Sequence, residues 1–128
     1  MIQSVATVIN ELAEHLHSIA KSKGFYDAEI SLLSLPIDYD TKEKCQLAFD
    51  QASIARMHSE LSEAVEALRH GNPMSEKISQ YTSEEEELAD AMIRIMNYCS
   101  RKGYDIGGAI VAKSEYNEGR AYMHGKNS

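Results

Sequence analysis

Cysteine, proline and glycine are all scarce in this chain of 128 residues. The two cysteines, Cys45 and Cys99, stand in unrelated contexts, so the sequence holds neither a disulfide framework nor a CxxC metal motif. Seven glycines and two prolines exclude a collagen-like or low-complexity chain, and 43% hydrophobic residues are too many for wholesale disorder. A chain of this length supports one hydrophobic core, so we expect a single domain over residues 1–128.

Cations and long apolar runs are also few. Because 13 Lys and Arg stand against 20 Asp and Glu, with a net charge of −7, we expect no nucleic-acid polymer as a partner. No segment reaches the run of about 20 apolar residues that would span a bilayer. The N-terminal segment has no basic region and carries acids in its apolar stretch, unlike a signal peptide. These features predict a cytoplasmic protein without a membrane partner.

Helical periodicity dominates the sequence. Apolar residues recur at three- and four-residue steps in four segments, and one segment of mixed character, 25–39, is expected to be a loop with at most a helical turn. The four predicted helices run over about 5–20, 40–68, 83–102 and 105–117. No segment alternates at period two and the connections are short, so the pattern predicts an all-α bundle of four to five helices.

Residues near the ends of these segments are typical of helix caps. Asp40 and Glu43 have capping-box spacing at the start of the second helix, and Ser83 and Glu86 have it at the start of the third. Glycine at position 103 suits the residue that follows the third helix. An aspartate at position 105 is expected to cap the fourth helix, in spite of the two glycines that follow it.

Two of the predicted helices each carry a pair of acids three residues apart. The pairs are Glu60 and Glu63 in ELSE, and Glu87 and Asp90 in ELAD. Residues at i and i+3 are neighbours on a helix, so two facing pairs would bring four carboxylates together. Such a cluster needs cations to stay ionised in a low-dielectric interior, and its hard oxygen ligands suit Mg²⁺ or Mn²⁺. The alternative is an exposed acidic surface, with the acids near position 87 stabilised by the helix dipole.

The positions of these acids around their helices do not decide between the two alternatives. Glu60 borders the apolar stripe of its helix, whereas Glu63, Glu87 and Asp90 lie well away from theirs. In a single isolated bundle those three acids are expected to face solvent. They would face inward if a second copy covered the other side of each helix, and four short helices with limited apolar surface favour such a dimer.

Cationic and aromatic side chains are concentrated near the C-terminus. Lys113, Asn117 and Arg120 recur at helical steps, and Tyr122 and Lys126 follow them. Such groups suit phosphates and a nucleotide ring. The alternative is a solvated last turn in which the cations offset the helix dipole.

Taken together, these motifs resemble the MazG-like, all-α nucleoside triphosphate pyrophosphohydrolases. The resemblance runs from about Ile9 to Lys126, and the tail departs from the family pattern at Ala121, where proline is expected, and at Gly119. The matching segments are KGFYD (23–27), MHSELSEAVEALRHGNP (57–73), EEELADAMIRI (85–95) and the closing pattern K..YN..R.Y.HGK (113–126).

The resemblance implies Mg²⁺-dependent hydrolysis of a ribo- or deoxyribonucleoside triphosphate between the α and β phosphates, in nucleotide pool control or house-cleaning. Mn²⁺ is expected to substitute for Mg²⁺. Glu63 is the candidate that orients or deprotonates the attacking water. A homodimer or a dimer of dimers is also implied. The implied metal ligands are Glu60, Glu63, Glu87 and Asp90, and the implied nucleotide or phosphate contacts are Lys113, Asn117, Arg120, Tyr122 and Lys126.

Two other functions stay open at the level of sequence. Phosphoribosyl-ATP pyrophosphohydrolase, a related activity of the same superfamily, would use the same metal chemistry with a different nucleotide pocket. A catalytically silent helical binding or regulatory protein would use the acids for assembly alone. An intact set of four carboxylates, together with Lys113 and Asn117, speaks against the silent alternative, because uncompensated convergent charge is costly.

Overall fold

The computed structural model describes residues 2–122. The secondary-structure elements in this range are all α-helices. An isolated β-bridge pairs Met74 with Thr82 in the connection before the fourth helix. The prediction of an all-α fold with four to five helices is confirmed. The helices are α1 (Ile2–Ser22), α2 (Asp27–Leu33), α3 (Tyr39–Arg69), α4 (Ser83–Arg101) and α5 (Ile106–Glu118).

Helix α2 lies in the segment that was expected to be a loop. Its seven residues are too few for a periodic pattern, and its first turn carries Asp27 and Glu29, which are favourable at a helix N-terminus. Arg101 of α4 fixes α2 in place, because its guanidinium pairs with the buried Glu29 carboxylate at 3.0 Å and with Asp50 of α3. The helix thus forms through tertiary contacts that the local sequence does not reveal.

Two predicted helix starts are wrong by one or two residues. Helix α3 is capped by Asp38, whose carboxylate accepts from the Thr41 amide at 2.8 Å. Helix α4 is capped by Thr82, which forms a reciprocal capping box with Glu85. At α4 the neighbouring pairs Thr82–Glu85 and Ser83–Glu86 satisfy the same spacing rule, so the pattern alone does not choose between them. At α3 the cap has no Glu or Gln three residues later, so the capping-box rule does not find it. The caps predicted at Asp105 and after α4 are confirmed.

Helix α4 is central, since it packs against both α1 and α3, while α5 packs on α1. The α1–α5 contact is close enough to exclude a side chain at Gly107. A Cβ built there would lie 2.1 Å from the Ala6 carbonyl oxygen. This close contact between α1 and α5 explains why a glycine stands in the first turn of α5, although glycine lowers the stability of a helix.

Small side chains fill the helix contacts. Among the described residues, the buried apolar positions are mostly alanines, and no large side chain is completely enclosed. The sequence assigns an apolar stripe to the inner side of α4, namely Leu88, Met92, Ile95, Met96 and Cys99. Met96 and Cys99 are buried as expected, whereas Leu88, Met92 and Ile95 are exposed by 39% to 61%. The buried apolar residues are Ala6, Ala13, Met57, Ala64, Ala67, Ala91, Met96 and Cys99.

Within the described residues, no helix combines the length and the apolar character needed to cross a membrane.

Candidate functional site

The acidic pairs of α3 and α4 meet within one chain. Carboxylate oxygens of Glu60, Glu63 and Glu87 lie within 4.8 Å of one another, and those of Glu86, Glu87 and Asp90 form a second such group. All four acids singled out from the sequence therefore belong to two groups that share Glu87. A fifth acid, Glu86, joins them, although the sequence suggested it only as a helix cap.

The burial of these acids differs from the expectation for an isolated chain. Glu63 is exposed, as expected, but Glu87 and Asp90 are half-buried and Glu60 is 7% exposed without any second copy. The expectation of solvent exposure for Glu87 and Asp90 is wrong because it took Leu88 and Met92 to mark the inner side of α4, and both are exposed. In the structure the acidic side of α4 faces α3 and the cleft beside it.

Glu60 is the most buried member of the cluster and is held by a cation. The Arg94 Nε donates a hydrogen bond of 2.6 Å to its Oε1. Burial opposes ionisation of Glu60, but hydrogen bonds from Arg94 and from neighbouring carboxyl groups outweigh it and lower the pKa of this carboxyl. Glu60 therefore stays ionised, with one oxygen already paired.

Glu87 has the opposite character. Burial is the main cause that raises the pKa of its carboxyl to about 7, and the adjacent Glu63 carboxylate adds to the effect. Its Oε2 is buried and has no hydrogen-bond partner among residues 2–122. Burial, followed by the charges of Glu60 and Glu86, also raises the pKa of the Asp90 carboxyl. The cluster thus lacks positive charge at Glu87, which a proton or a cation can supply.

Glu86 anchors the connection between α3 and α4 beside the cluster. The buried Ser75 hydroxyl donates to Glu86 Oε1 and accepts from the amides of Lys77 and Ile78 at 3.1 and 3.0 Å. This contact holds the segment that carries Lys77, which lines the same cleft. Glu86 is consequently engaged in positioning rather than left open toward solvent.

The cleft beside the carboxylates has a volume of about 620 Å³ and lies between α1, α3 and α4. This volume falls within the range of small-molecule sites, roughly 300–1,000 Å³. Its lining combines the acids of α3 and α4 with aromatic and apolar side chains of α1 and the α1–α2 connection. The lining includes Leu16, Ile19, Phe25, Tyr26, Arg56, Lys77, Arg94 and Asn97.

Three of the lining cations, Arg56, Lys77 and Arg94, were not singled out from the sequence. A signal for two of them exists: Arg56 lies four residues before Glu60, and Arg94 lies four residues after Asp90. Residues at that spacing share a side of a helix. Lys77 offers no such signal, because its position depends on the Ser75 contact with α4.

Tyr26 and Asn97 form a hydrogen-bonded pair in the wall of the cleft. The Tyr26 hydroxyl donates to Asn97 Oδ1 at 2.6 Å, and His17 Nδ1 lies 3.2 Å from the same oxygen. The His17 ring meets the Tyr26 ring edge-on at 5.1 Å, and the Arg101 guanidinium lies 5.7 Å from the Tyr26 ring centre. These contacts fix the Tyr26 ring and the Asn97 amide.

Those C-terminal residues of the predicted site that are described do not line this cleft. Lys113 and Arg120 lie against the Tyr116 ring, at 4.6 and 5.8 Å from its centre. Asn117 is half-buried, Tyr122 is exposed, and Lys126 lies outside the described residues. The nucleotide role of this segment stays a prediction.

Comparison with known protein families, with curated proteins and with solved structures finds no match. The chemistry of the cleft and the sequence motifs are therefore what indicates a function. Chemically, the carboxylates suit a hard divalent cation, the neighbouring Arg and Lys side chains suit phosphate oxygens, and the aromatic wall suits a flat ring.

Proposed function

We propose that this protein is a metal-dependent pyrophosphohydrolase that converts a nucleoside triphosphate to the monophosphate and pyrophosphate. The observation that carries the proposal is the convergence of Glu60, Glu63, Glu87 and Asp90 in a cleft that also contains Arg94 and two further cations. The resemblance of the motifs to the MazG-like enzymes supports the same reaction. Its role would be nucleotide pool control or house-cleaning in the cytoplasm.

The donor set fits Mg²⁺, with Mn²⁺ as a substitute. All ligands are hard carboxylate oxygens, and the buried, unpartnered Oε2 of Glu87 marks a place where positive charge is missing among the described residues. Glu60, Glu63, Glu87 and Asp90 would hold the ion. When bound, the ion supplies charge neutralisation at the phosphates and a lower pKa for a bound water.

The side chains of the cleft then have distinct tasks. Glu63 is the exposed acid of the cluster, so it is the residue that orients or deprotonates the attacking water. Lys77 and Arg94 would bind phosphate oxygens and stabilise the charge that develops on the departing pyrophosphate. Arg94 can exchange its contact with Glu60 for a phosphate, because its side chain is 39% exposed.

The C-terminal residues Lys113, Asn117, Arg120, Tyr122 and Lys126 remain part of the proposal as further nucleotide contacts. The described members of this set do not line the cleft of their own chain. Contact with a substrate therefore requires either a rearrangement of the C-terminal segment or its delivery by a second copy.

A homodimer, or a dimer of dimers, is part of the same proposal. The chain of 14.3 kDa has an accessible surface of 9311 Å². A compact monomer of this mass exposes roughly 6,800 Å². The seven residues outside the described range account for at most roughly 1,100 Å² of the excess. What remains is of the order that one partner contributes to a homodimer interface, roughly 1,000–2,500 Å².

The test is turnover of a panel of ribo- and deoxyribonucleoside triphosphates with Mg²⁺, with monophosphate plus pyrophosphate resolved from diphosphate plus phosphate. We expect the first pair of products, and we expect Glu63→Gln to lower kcat by about 100-fold or more. Glu66→Gln is the matched control, because Glu66 lies one turn further along α3 and pairs with Arg69 instead.

Other outcomes of this assay contradict the proposal in distinguishable ways. Diphosphate as product would mean that the β–γ bond is attacked. Turnover of phosphoribosyl-ATP alone would identify the related activity of the same superfamily. Absence of turnover with every substrate, together with no heat of Mg²⁺ binding at millimolar metal, would identify a silent binding protein. Wild-type turnover by Glu63→Gln would remove that residue from the mechanism.

A further inference from the structure

The Asn97 amide can offer a ligand in the cleft only hydrogen-bond donors. Its Oδ1 is occupied by the Tyr26 hydroxyl at 2.6 Å and by His17 Nδ1 at 3.2 Å. Asn97 nevertheless lines the 620 Å³ cleft, and its amide nitrogen has no hydrogen-bond partner within the described part of the chain. The group left for a ligand is therefore the NH₂, which only donates.

Arg56 adds further donors to the same cleft. Its guanidinium makes no hydrogen bond or ion pair with the described residues, and it can only donate. The nearby Ser53 hydroxyl already donates to the Phe49 carbonyl at 3.0 Å. That hydroxyl can then only accept from a ligand. The donors of this part of the wall that are free for a ligand are thus the Asn97 NH₂ and the Arg56 guanidinium, which pair with acceptor atoms and reject other donors.

The distance from the carboxylates suits a nucleoside base. Asn97 follows Asp90 by seven residues of α4, two turns further along the same side of the helix. This separation corresponds to a rise of about 10 Å, which a nucleoside monophosphate can span from its phosphorus to the far edge of its base. The Phe25 and Tyr26 rings in the same cleft offer surfaces for stacking.

We propose that Asn97, with Arg56, selects nucleotides whose base carries a carbonyl oxygen at purine position 6 or pyrimidine position 4, namely guanine, uracil or thymine, over adenine and cytosine, which carry an amine at that position. The inference rests on the proposed function and names its substrate class. Guanine offers O6 and thymine offers O4, both acceptors, at the position where adenine N6 and cytosine N4 are donors that meet the donors of Asn97. The Tyr26 hydroxyl acts as a positioning group that prevents rotation of the amide.

The test uses analogues that carry a methylene group between the α and β phosphorus atoms, so that binding is measured without cleavage. Calorimetry with Mg²⁺ compares the GTP and ATP analogues, and the UTP and CTP analogues, at matched ring size. For the wild type we expect about tenfold tighter binding of the first member of each pair. Turnover of the ordinary triphosphates is measured in parallel on the same protein.

Asn97→Asp is the decisive variant. A carboxylate still accepts from Tyr26 but replaces the NH₂ donor by an acceptor, so we expect both affinity ratios to fall by about tenfold or more. Gln51→Glu, which adds the same charge at an exposed position of α3 outside the cleft, is expected to leave both ratios unchanged. Tyr26→Phe is the second variant; it frees the amide to rotate, so the ratios approach one without reversing.

The possible outcomes distinguish the proposed base selection from the proposed reaction. Ratios that Asn97→Asp and Tyr26→Phe both leave unchanged would overturn the assignment of base selection to Asn97. Hydrolysis without base preference would do the same while leaving the pyrophosphohydrolase intact. Selective binding of the analogues without turnover of any triphosphate would overturn the proposed reaction but support the base selection. Failure to bind any analogue would overturn both.

Discussion

At the scale of single residues, Glu87 makes the stability of the metal-free protein depend on pH in an unusual direction. Its folded pKa of about 7 lies above the ordinary value of 4.5. Between these values the folded state binds more protons than the unfolded state, so the free energy of unfolding falls as pH rises from 5 to 8. We expect Glu87→Gln to raise that free energy at pH 8 by roughly 1–2 kcal/mol, measured by urea denaturation in EDTA.

The same substitution has the opposite effect on metal binding. Removal of the carboxylate that lacks a partner should weaken Mg²⁺ binding by calorimetry at pH 8, and wild-type affinity should fall as pH drops below 7 because a proton competes for Glu87. Glu115→Gln, on the exposed side of α5, is the control and should alter neither property. Equal stability of wild type and Glu87→Gln at pH 8 would show that burial of Glu87 carries no cost.

At the scale of helices, the contact between α1 and α5 depends on Gly107. A methyl group at this position meets backbone atoms of Ala6, which cannot move as a flexible side chain can. We expect Gly107→Ala to lower the free energy of unfolding by at least about 2 kcal/mol in spite of the better helix propensity of alanine.

Gly119→Ala is the matched control at the other end of α5. Its φ of −82° is accessible to alanine, and the nearest atom to a Cβ there lies 3.6 Å away. A change within about 0.5 kcal/mol is expected. Unfolding curves in urea that superimpose for Gly107→Ala and wild type would contradict the close approach of the two helices.

The helices also show which parts of the fold can be predicted from the sequence alone. Periodicity is sufficient for the four long helices, since each places apolar residues at helical steps over several turns. Helix α2 is missed because its burial depends on Arg101, 68 residues beyond the last residue of α2, Leu33. The cap at Thr82 is missed because Ser83 satisfies the same spacing rule. Long-range contacts and degenerate local rules set these limits.

The candidate site also has features that the sequence reveals and features that it does not. The pairing of acids at i and i+3 is a property of one helix, so it is visible in the sequence. Their inward position is not, because the apolar stripe at Leu88 and Met92 suggests the wrong inner side of α4. Lys77 and Asn97 are invisible for a related reason: a tertiary contact with α4 positions Lys77, and the contacts of Tyr26 and His17 orient the Asn97 amide.

At the scale of the whole molecule, the exposed apolar surface predicts self-association. Leu47, Ile54, Leu61 and Leu68 of α3 recur every seven residues, and each is 42% to 57% exposed. A stripe at this spacing is typical of a helix that packs against another helix. We expect wild-type protein to sediment as a dimer or larger at micromolar concentration, and Leu61→Glu to shift it toward monomer.

Ala48→Glu is the control, since Ala48 is exposed on α3 and stands three or four residues from no member of the stripe, so the added charge should leave the sedimentation coefficient unchanged. A wild-type protein that sediments only as monomer would contradict the prediction. Loss of turnover by Leu61→Glu, with Mg²⁺ affinity retained, would indicate that a second copy contributes to the substrate site, as the position of the C-terminal residues outside the cleft suggests.

The alanines at the helix contacts have a calorimetric consequence. Each removes little apolar surface from water on folding, and burial of such surface is the main source of the heat-capacity change. Unfolding of an isolated copy should therefore show less than the usual increment of about 12–15 cal/mol/K per residue. The remaining heat-capacity change should accompany the association of copies instead. The heat released on assembly should therefore grow strongly as temperature rises.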